Sequence, residues 1–259
     1  MFFFFRNRRR KRLRATPLPD ASWAIIDGNV RLVAGLADAD RAELGGIIQV
    51  LLAEKTFEGC DGLAITDEIR LTIAAQAALL LLGRETRYYP TLKTILVYPS
   101  TYFANHQEVL PDGTVIEGQV ARLGESWHRG AVVLAWDNVQ SSAWNHDDGR
   151  NVTLHEFAHQ LDGEATGMDG APALPSRAHY RDWARVLGAE YETLIEKVHR
   201  GHRSLLDSYG ATNPAEFFAV VTEMFFEKPG ALKHRHPQLY AELAEFYKQD
   251  PAGWSEHEA

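Results

Sequence analysis

In the first third of the chain, apolar side chains recur every three or four positions over residues 23–36, 41–55 and 67–82. That spacing lays an apolar stripe along one face of a helix, so three scaffold helices are expected. Asp67 and Glu68 head the third stretch, where acidic groups favour a helix start. The period then shortens. Residues 91–98 (TLKTILVY) and 131–136 (AVVLAW) are rich in β-branched and aromatic side chains and predict strands, and two short runs, 107–110 and 114–118, flank the turn Pro111-Asp112-Gly113. Residues 138–150 read as a loop. Helical spacing returns at 151–162, at 179–199 and from Asn213-Pro214 to Pro229, with a Gly/Pro-rich connection at 163–175. The pattern predicts an α+β fold, mainly helical, with a small mixed or antiparallel sheet between helical regions.

Composition adds boundaries. With 259 residues, 45% hydrophobic and 24% charged, the chain suits an ordinary soluble globular protein. The organisation expected is a basic, disordered tail over 1–18, one domain over 19–250 and a C-terminal tail over 251–259. The longest uncharged apolar run, 73–83, is too short to span a bilayer, so no integral membrane segment is expected. A lone cysteine, Cys60, builds no disulfide framework and points to the cytoplasm, where it reads as inert. The net charge of −8 conceals an asymmetry: seven of the 27 basic residues precede residue 15, leaving 20 against all 35 acidic ones, a balance of −15. Such a body does not bind nucleic-acid backbone directly, although the leader alone could touch an anionic surface or a partner.

The sharpest chemical signal is TLHEFAHQLDGE, residues 153–164. On a helix, Leu154, Phe157, Ala158 and Leu161 share the buried face, while His155 and His159 project together one turn apart, a spacing that lets two imidazoles reach one zinc ion. Glu156 stands beside them, placed to take a proton from a metal-activated water. A catalytic zinc needs a third protein ligand. The HExxHxxGxxH continuation is ruled out, because Asp162 and Ala165 occupy the positions of its Gly and His. The helix after Pro214 is apolar through Phe226 except for Glu216 and Glu223, and buried carboxylates need a partner or a cation. Glu216 is the expected ligand and Glu223 the expected support for one. Spacing alone leaves open that Glu216 is a first-turn acid and that Glu223 pairs with an arginine. Asp162 could hold a ligand imidazole by a hydrogen bond or simply face solvent.

Together, TLHEFAHQLDGE and SYGATNPAEFFAVVTEMFF resemble the Mlc titration factor A family of zinc peptidases, over about residues 23–247. The resemblance implies a zincin-like, gluzincin-type metallopeptidase whose catalytic core is similar to that of the anthrax lethal factor protease domain. It implies one Zn2+ held by His155, His159 and Glu216, with Glu156 as general base and Tyr209 steadying the oxyanion. It also implies aminopeptidase-like action on peptides or proteins, and binding of a DNA-binding repressor, Mlc, that controls a sugar phosphotransferase gene. The arginine-rich leader is no part of that resemblance.

The substrate is expected to extend along a sheet edge at 131–136. Trp127-His128 and Trp144-Asn145-His146 flank that strand and either line the cleft or simply pack, while His234 and His236 read as surface residues. A second function class stays open: a protein-binding module that sequesters a repressor, its zinc structural or regulatory. A purely structural site has no need of Glu156.

Overall fold

The computed structural model describes residues 2–100, 102–109, 115–122, 124–127, 130–165 and 167–254; for 2–4, 102–109, 115–122 and 124–127 the description is of the backbone. In chain order the elements are α1 (Phe2–Arg14), α2 (Asp20–Asn29), α3 (Asp38–Glu54), β1 (Thr56–Gly59), α4 (Asp67–Leu79), β2 (Thr94–Tyr98), β3 (Tyr102–Val109), β4 (Val115–Arg122), β5 (Gly124–Trp127), β6 (Ala131–Ala135) and α5 (Trp136–Trp144). There follow α6 (Val152–Asp162), α7 (Arg177–His199), α8 (Pro214–Glu227), α9 (Pro229–Arg235) and α10 (Pro237–Tyr247). The fold is α+β and mainly helical.

The sheet is mixed. Its order is β1-β2-β6-β5, with β1, β2 and β6 parallel and β5 antiparallel to β6. Leu96 of β2 sits opposite Val133 of β6, and Ser126 of β5 opposite Val132. The expected antiparallel character is confined to β5 and to the separate β3–β4 hairpin. The turn 111–113 lies outside the described residues. One expectation is corrected here: residues 131–136 are no sheet edge, because β6 is hydrogen-bonded to β2 on one side and β5 on the other. Its side chains are accordingly almost all buried, as suits an interior parallel strand that reads as a continuous apolar run.

A second correction concerns the leader. Residues 2–14 are helical, and α1 packs along α3 through Arg10, Leu13 and Arg14. Arg10 donates to both carboxylate oxygens of Glu54, at 2.7 and 2.6 Å, and to the carbonyl of Arg87, and its guanidinium lies over the ring of Tyr88. Arg14 pairs with Glu43 at 2.7 Å, and Leu18 is buried. Charge that looked wholly solvated thus docks the helix onto an acidic neighbour. At the other end, the expected tail begins later than 251: Pro251 is buried and the Trp254 ring packs on Phe226.

The supposed loop at 138–150 is also partly helix. Residues 136–144 form α5, polar enough to hide its periodicity, with Val139 and Ala143 as its buried positions. It packs against α4 and α6.

Candidate metal centre

Two helices build the site, and each is started by an asparagine. Asn151 caps α6 by accepting from the N–H of Leu154, at 3.0 Å, and Asn213 caps α8 by accepting from that of Glu216, at 2.9 Å. Each cap contributes about 1 kcal/mol and fixes where its helix begins. Pro214 at the first turn of α8 completes that signal. Leu154, Phe157, Ala158 and Leu161 of α6 are buried as the pattern requires, and α6 lies against α8, which is buried along almost its whole length.

The packing brings His155, His159 and Glu216 to one point. Oε2 of Glu216 is 2.9 Å from Nε2 of His155 and 3.3 Å from Nε2 of His159, and the two Nε2 atoms are 3.2 Å apart. Atoms sharing one tetrahedral zinc at bonds of ~2.0–2.1 Å would stand ~3.3 Å from each other, so the donor set fits a single divalent ion. Among the described residues this is the one group of His, Cys, Asp or Glu side chains able to hold a metal.

Seven residues after Glu216, two turns along α8, Glu223 reaches the opposite side of the same imidazole: its Oε1 is 2.7 Å from Nδ1 of His155. With an ion in the cage, a carboxylate there would accept a hydrogen bond from Nδ1–H and leave the Nε2 lone pair to that ion. Burial opposes charge on His155, yet its hydrogen bonds with Glu216 and Glu223 hold its pKa well above the usual imidazole range. Burial likewise works against ionised Glu216, but His155 and His159 pull its carboxyl down to about 2. Among the described residues neither glutamate pairs with a lysine or arginine, so the arginine partner considered for Glu223 is replaced by His155. The cage favours positive charge at its centre.

Glu156 follows His155 on α6 and is buried. Tyr209 lies in a short 3-10 turn (Ser208–Ala211) packed on α8, its ring centroid 6.0 Å from that of His155, and it is 54% exposed. Asp207 starts this turn by accepting from the Tyr209 N–H at 2.9 Å, and it also pairs at 2.6 Å with Arg150, the residue before the α6 cap. The sequence held a signal for this tie in the Asp-x-Tyr spacing before Gly210, but none for its partner.

Asp162 does not touch a ligand imidazole. It is fully buried, and its Oδ2 accepts from the N–H of Gly170 at 2.9 Å. Burial raises its pKa to about 6, a rise that backbone hydrogen bonding to Gly170 partly offsets. Gly170 has φ +78°, and a Cβ there would stand 2.4 Å from the carbonyl oxygen of Pro214. Asp162 therefore ties the end of α6, through this glycine, to the start of the helix that carries Glu216. Of the two readings left open for Asp162, imidazole support and solvent-facing acid, the structure shows neither: it is a buried structural strut.

The remaining candidates fall elsewhere. The Trp144 ring is 55% exposed and stacked under the Arg31 guanidinium at 3.9 Å, while Asn145 bonds Asp148. The side chain of Trp127 and all of His128 lie outside the described residues. His234 is exposed as expected, but His236 is buried and bonded through Nδ1 to Glu190 at 2.8 Å.

Comparison with known proteins agrees with this architecture. Residues 5–248 match the family described as "Glucose-regulated metallo-peptidase M90". An uncharacterized protein of a Synechocystis strain is 44% identical over 245 residues, which cover 94% of this chain and 89% of that one. Proteins named Mlc titration factor A are similar as well: that of Serratia proteamaculans is 33% identical over 228 residues, 86% of this chain and 85% of its own. The one from Yersinia pestis is 30% identical over 226 residues, covering 86% and 83%. The chain belongs to the glucose-regulated metallo-peptidase M90 family.

Proposed function

We propose that the protein is a zinc-dependent, gluzincin-type peptidase with aminopeptidase-like activity, and that His155, His159 and Glu216 hold its one ion. The observation that carries this reading is the convergence of the two Nε2 atoms and the Glu216 carboxylate, with Glu223 behind His155. Two imidazoles and one carboxylate suit Zn2+ among the common divalent ions. When bound, the ion would polarise a scissile carbonyl and render a water more acidic.

The chain's own residues supply the rest. Glu156 takes a proton from the attacking water as the C–O bond forms, then passes it to the leaving amine nitrogen as the C–N bond breaks. The Tyr209 hydroxyl donates to the carbonyl oxygen as it gains negative charge. A peptide backbone would pair in strand fashion with β5, the sheet's end strand, which packs beside α6. The test is hydrolysis of aminoacyl and peptidyl amides by the wild type and by Glu156→Gln. Loss of turnover with the metal retained supports the assignment of the base, and unaltered turnover in the variant rejects it.

The name shared by the Serratia and Yersinia relatives, Mlc titration factor A, favours a second activity alongside the first: capture of a DNA-binding repressor of the Mlc kind. Such capture would take place in the cytoplasm, where a repressor of that kind works. Retention of a repressor by the Glu156→Gln protein would separate capture from hydrolysis.

A further inference from the structure

The docked leader turns a run of arginines into a surface with two sides. Arg10, Leu13 and Arg14 face α3, where Glu54 and Glu43 fix the helix. Arg8, Arg9, Lys11 and Arg12 are exposed, and Phe5 is 60% exposed. At about 100° per residue, Phe5, Arg8 and Arg12 share one line along the outer face, with Lys11 on one flank and Arg9 on the other, where it also donates to the Ala53 carbonyl of α3 at 3.3 Å. The rest of the chain carries 20 basic against 35 acidic residues, so this outer face is a local inversion of the protein's charge. α3 is the main neighbour of α1 and covers only its inner side. Nothing in the peptidase reading uses these residues.

We propose that α1 is a membrane-surface contact: its exposed cations bind the headgroups of anionic phospholipids, and the phenylalanine end of the helix enters the interface. Charge complementarity is the first argument. A cluster of four exposed cations on one helix matches what a negatively charged leaflet attracts, each adding roughly fivefold to partitioning. The second is the run Phe2–Phe5 directly before the cations. Duplex phosphates would satisfy the arginines, but a duplex with its bases stacked inside offers the phenylalanines no apolar medium, whereas a lipid interface supplies both. The contact is peripheral, since no helix among the described residues is long and apolar enough to cross a membrane.

The experiment is co-sedimentation of the full chain with vesicles of phosphatidylcholine alone or with a third of phosphatidylglycerol, at low and high salt. The wild type should sediment with the anionic vesicles only, and release as salt rises. The variant Arg8→Glu/Lys11→Glu/Arg12→Glu, which spares the Arg9 bond to the Ala53 carbonyl of α3, should stay in the supernatant, at least ~100-fold weaker, while keeping the wild-type melting temperature and turnover of small amides. Equal sedimentation of the triple variant, absence of wild-type sedimentation, or binding of duplex DNA or RNA without vesicle binding would overturn the proposal. None of these outcomes depends on the zinc centre.

Discussion

Glu223 and His155 form the pair on which the centre is hung: Oε1 of the glutamate meets Nδ1 of the imidazole at 2.7 Å, and its other oxygen takes the backbone N–H of Asn151 at 2.5 Å. One carboxylate thereby holds both the imidazole proposed as a metal ligand and the entry of its helix. Glu223→Gln should keep the fold but lower metal affinity by about 10–100-fold, as read by competition with a chromogenic chelator. Unchanged affinity would assign Glu223 to packing alone.

Tyr209 stands beside the ring of His155 on a turn held by Asp207. If its hydroxyl serves the oxyanion, Tyr209→Phe should lower kcat by roughly 10²-fold with KM and bound metal little changed. Asp207→Asn, which weakens the tie to Arg150, should give a smaller loss in kcat. Steady-state kinetics with metal analysis on the same samples checks both.

The buried carboxyl of Glu227 gives a pH signature. Burial raises its pKa to about 8, partly opposed by hydrogen bonding from the Asn151 side chain, while the charges of Asp148 and Glu223 add to the rise. A folded-state pKa above the unfolded value of 4.5 means that the folded state holds the proton more tightly. The associated stability is complete below the unfolded pKa and is lost as pH climbs towards the folded one, a change of a few kcal/mol. Glu227→Gln should therefore flatten the fall in melting temperature between pH 5 and pH 8, read by thermal denaturation at a series of pH values. An equally steep fall in the variant would show that another group carries the dependence.

Docking of the leader rests on Arg10. Its side chain and that of Glu54 are largely buried, so removing the guanidinium strands a carboxylate against α1. Arg10→Ala should cost about 2 kcal/mol and speed hydrogen exchange over residues 2–14, while Lys11→Ala on the exposed side should leave both unchanged.

Much of the site was legible in the sequence because its information is local. His155 and His159 are one helical turn apart, and the Asn-Pro start of α8 fixes the phase of Glu216. The buried carboxylates of α8 announced that they needed partners, but which partners depended on how α6 and α8 pack, which no spacing encodes. The same limit hid the role of Asp162, whose bond to Gly170 spans a glycine-rich connection without periodicity. It also hid the fate of the leader: Arg10 looks like its neighbours in sequence and differs only in finding Glu54. Strand direction was out of reach because the interior position of β6 is set by β2 and β5 together.

The most direct test of the account is the zinc content of protein purified without added ions, wild type beside Glu216→Ala and His155→Ala. The account predicts one ion per chain in the wild type and close to none in either variant, with helical content preserved. A Glu216→Ala protein that retains a full equivalent of tightly bound metal would contradict it.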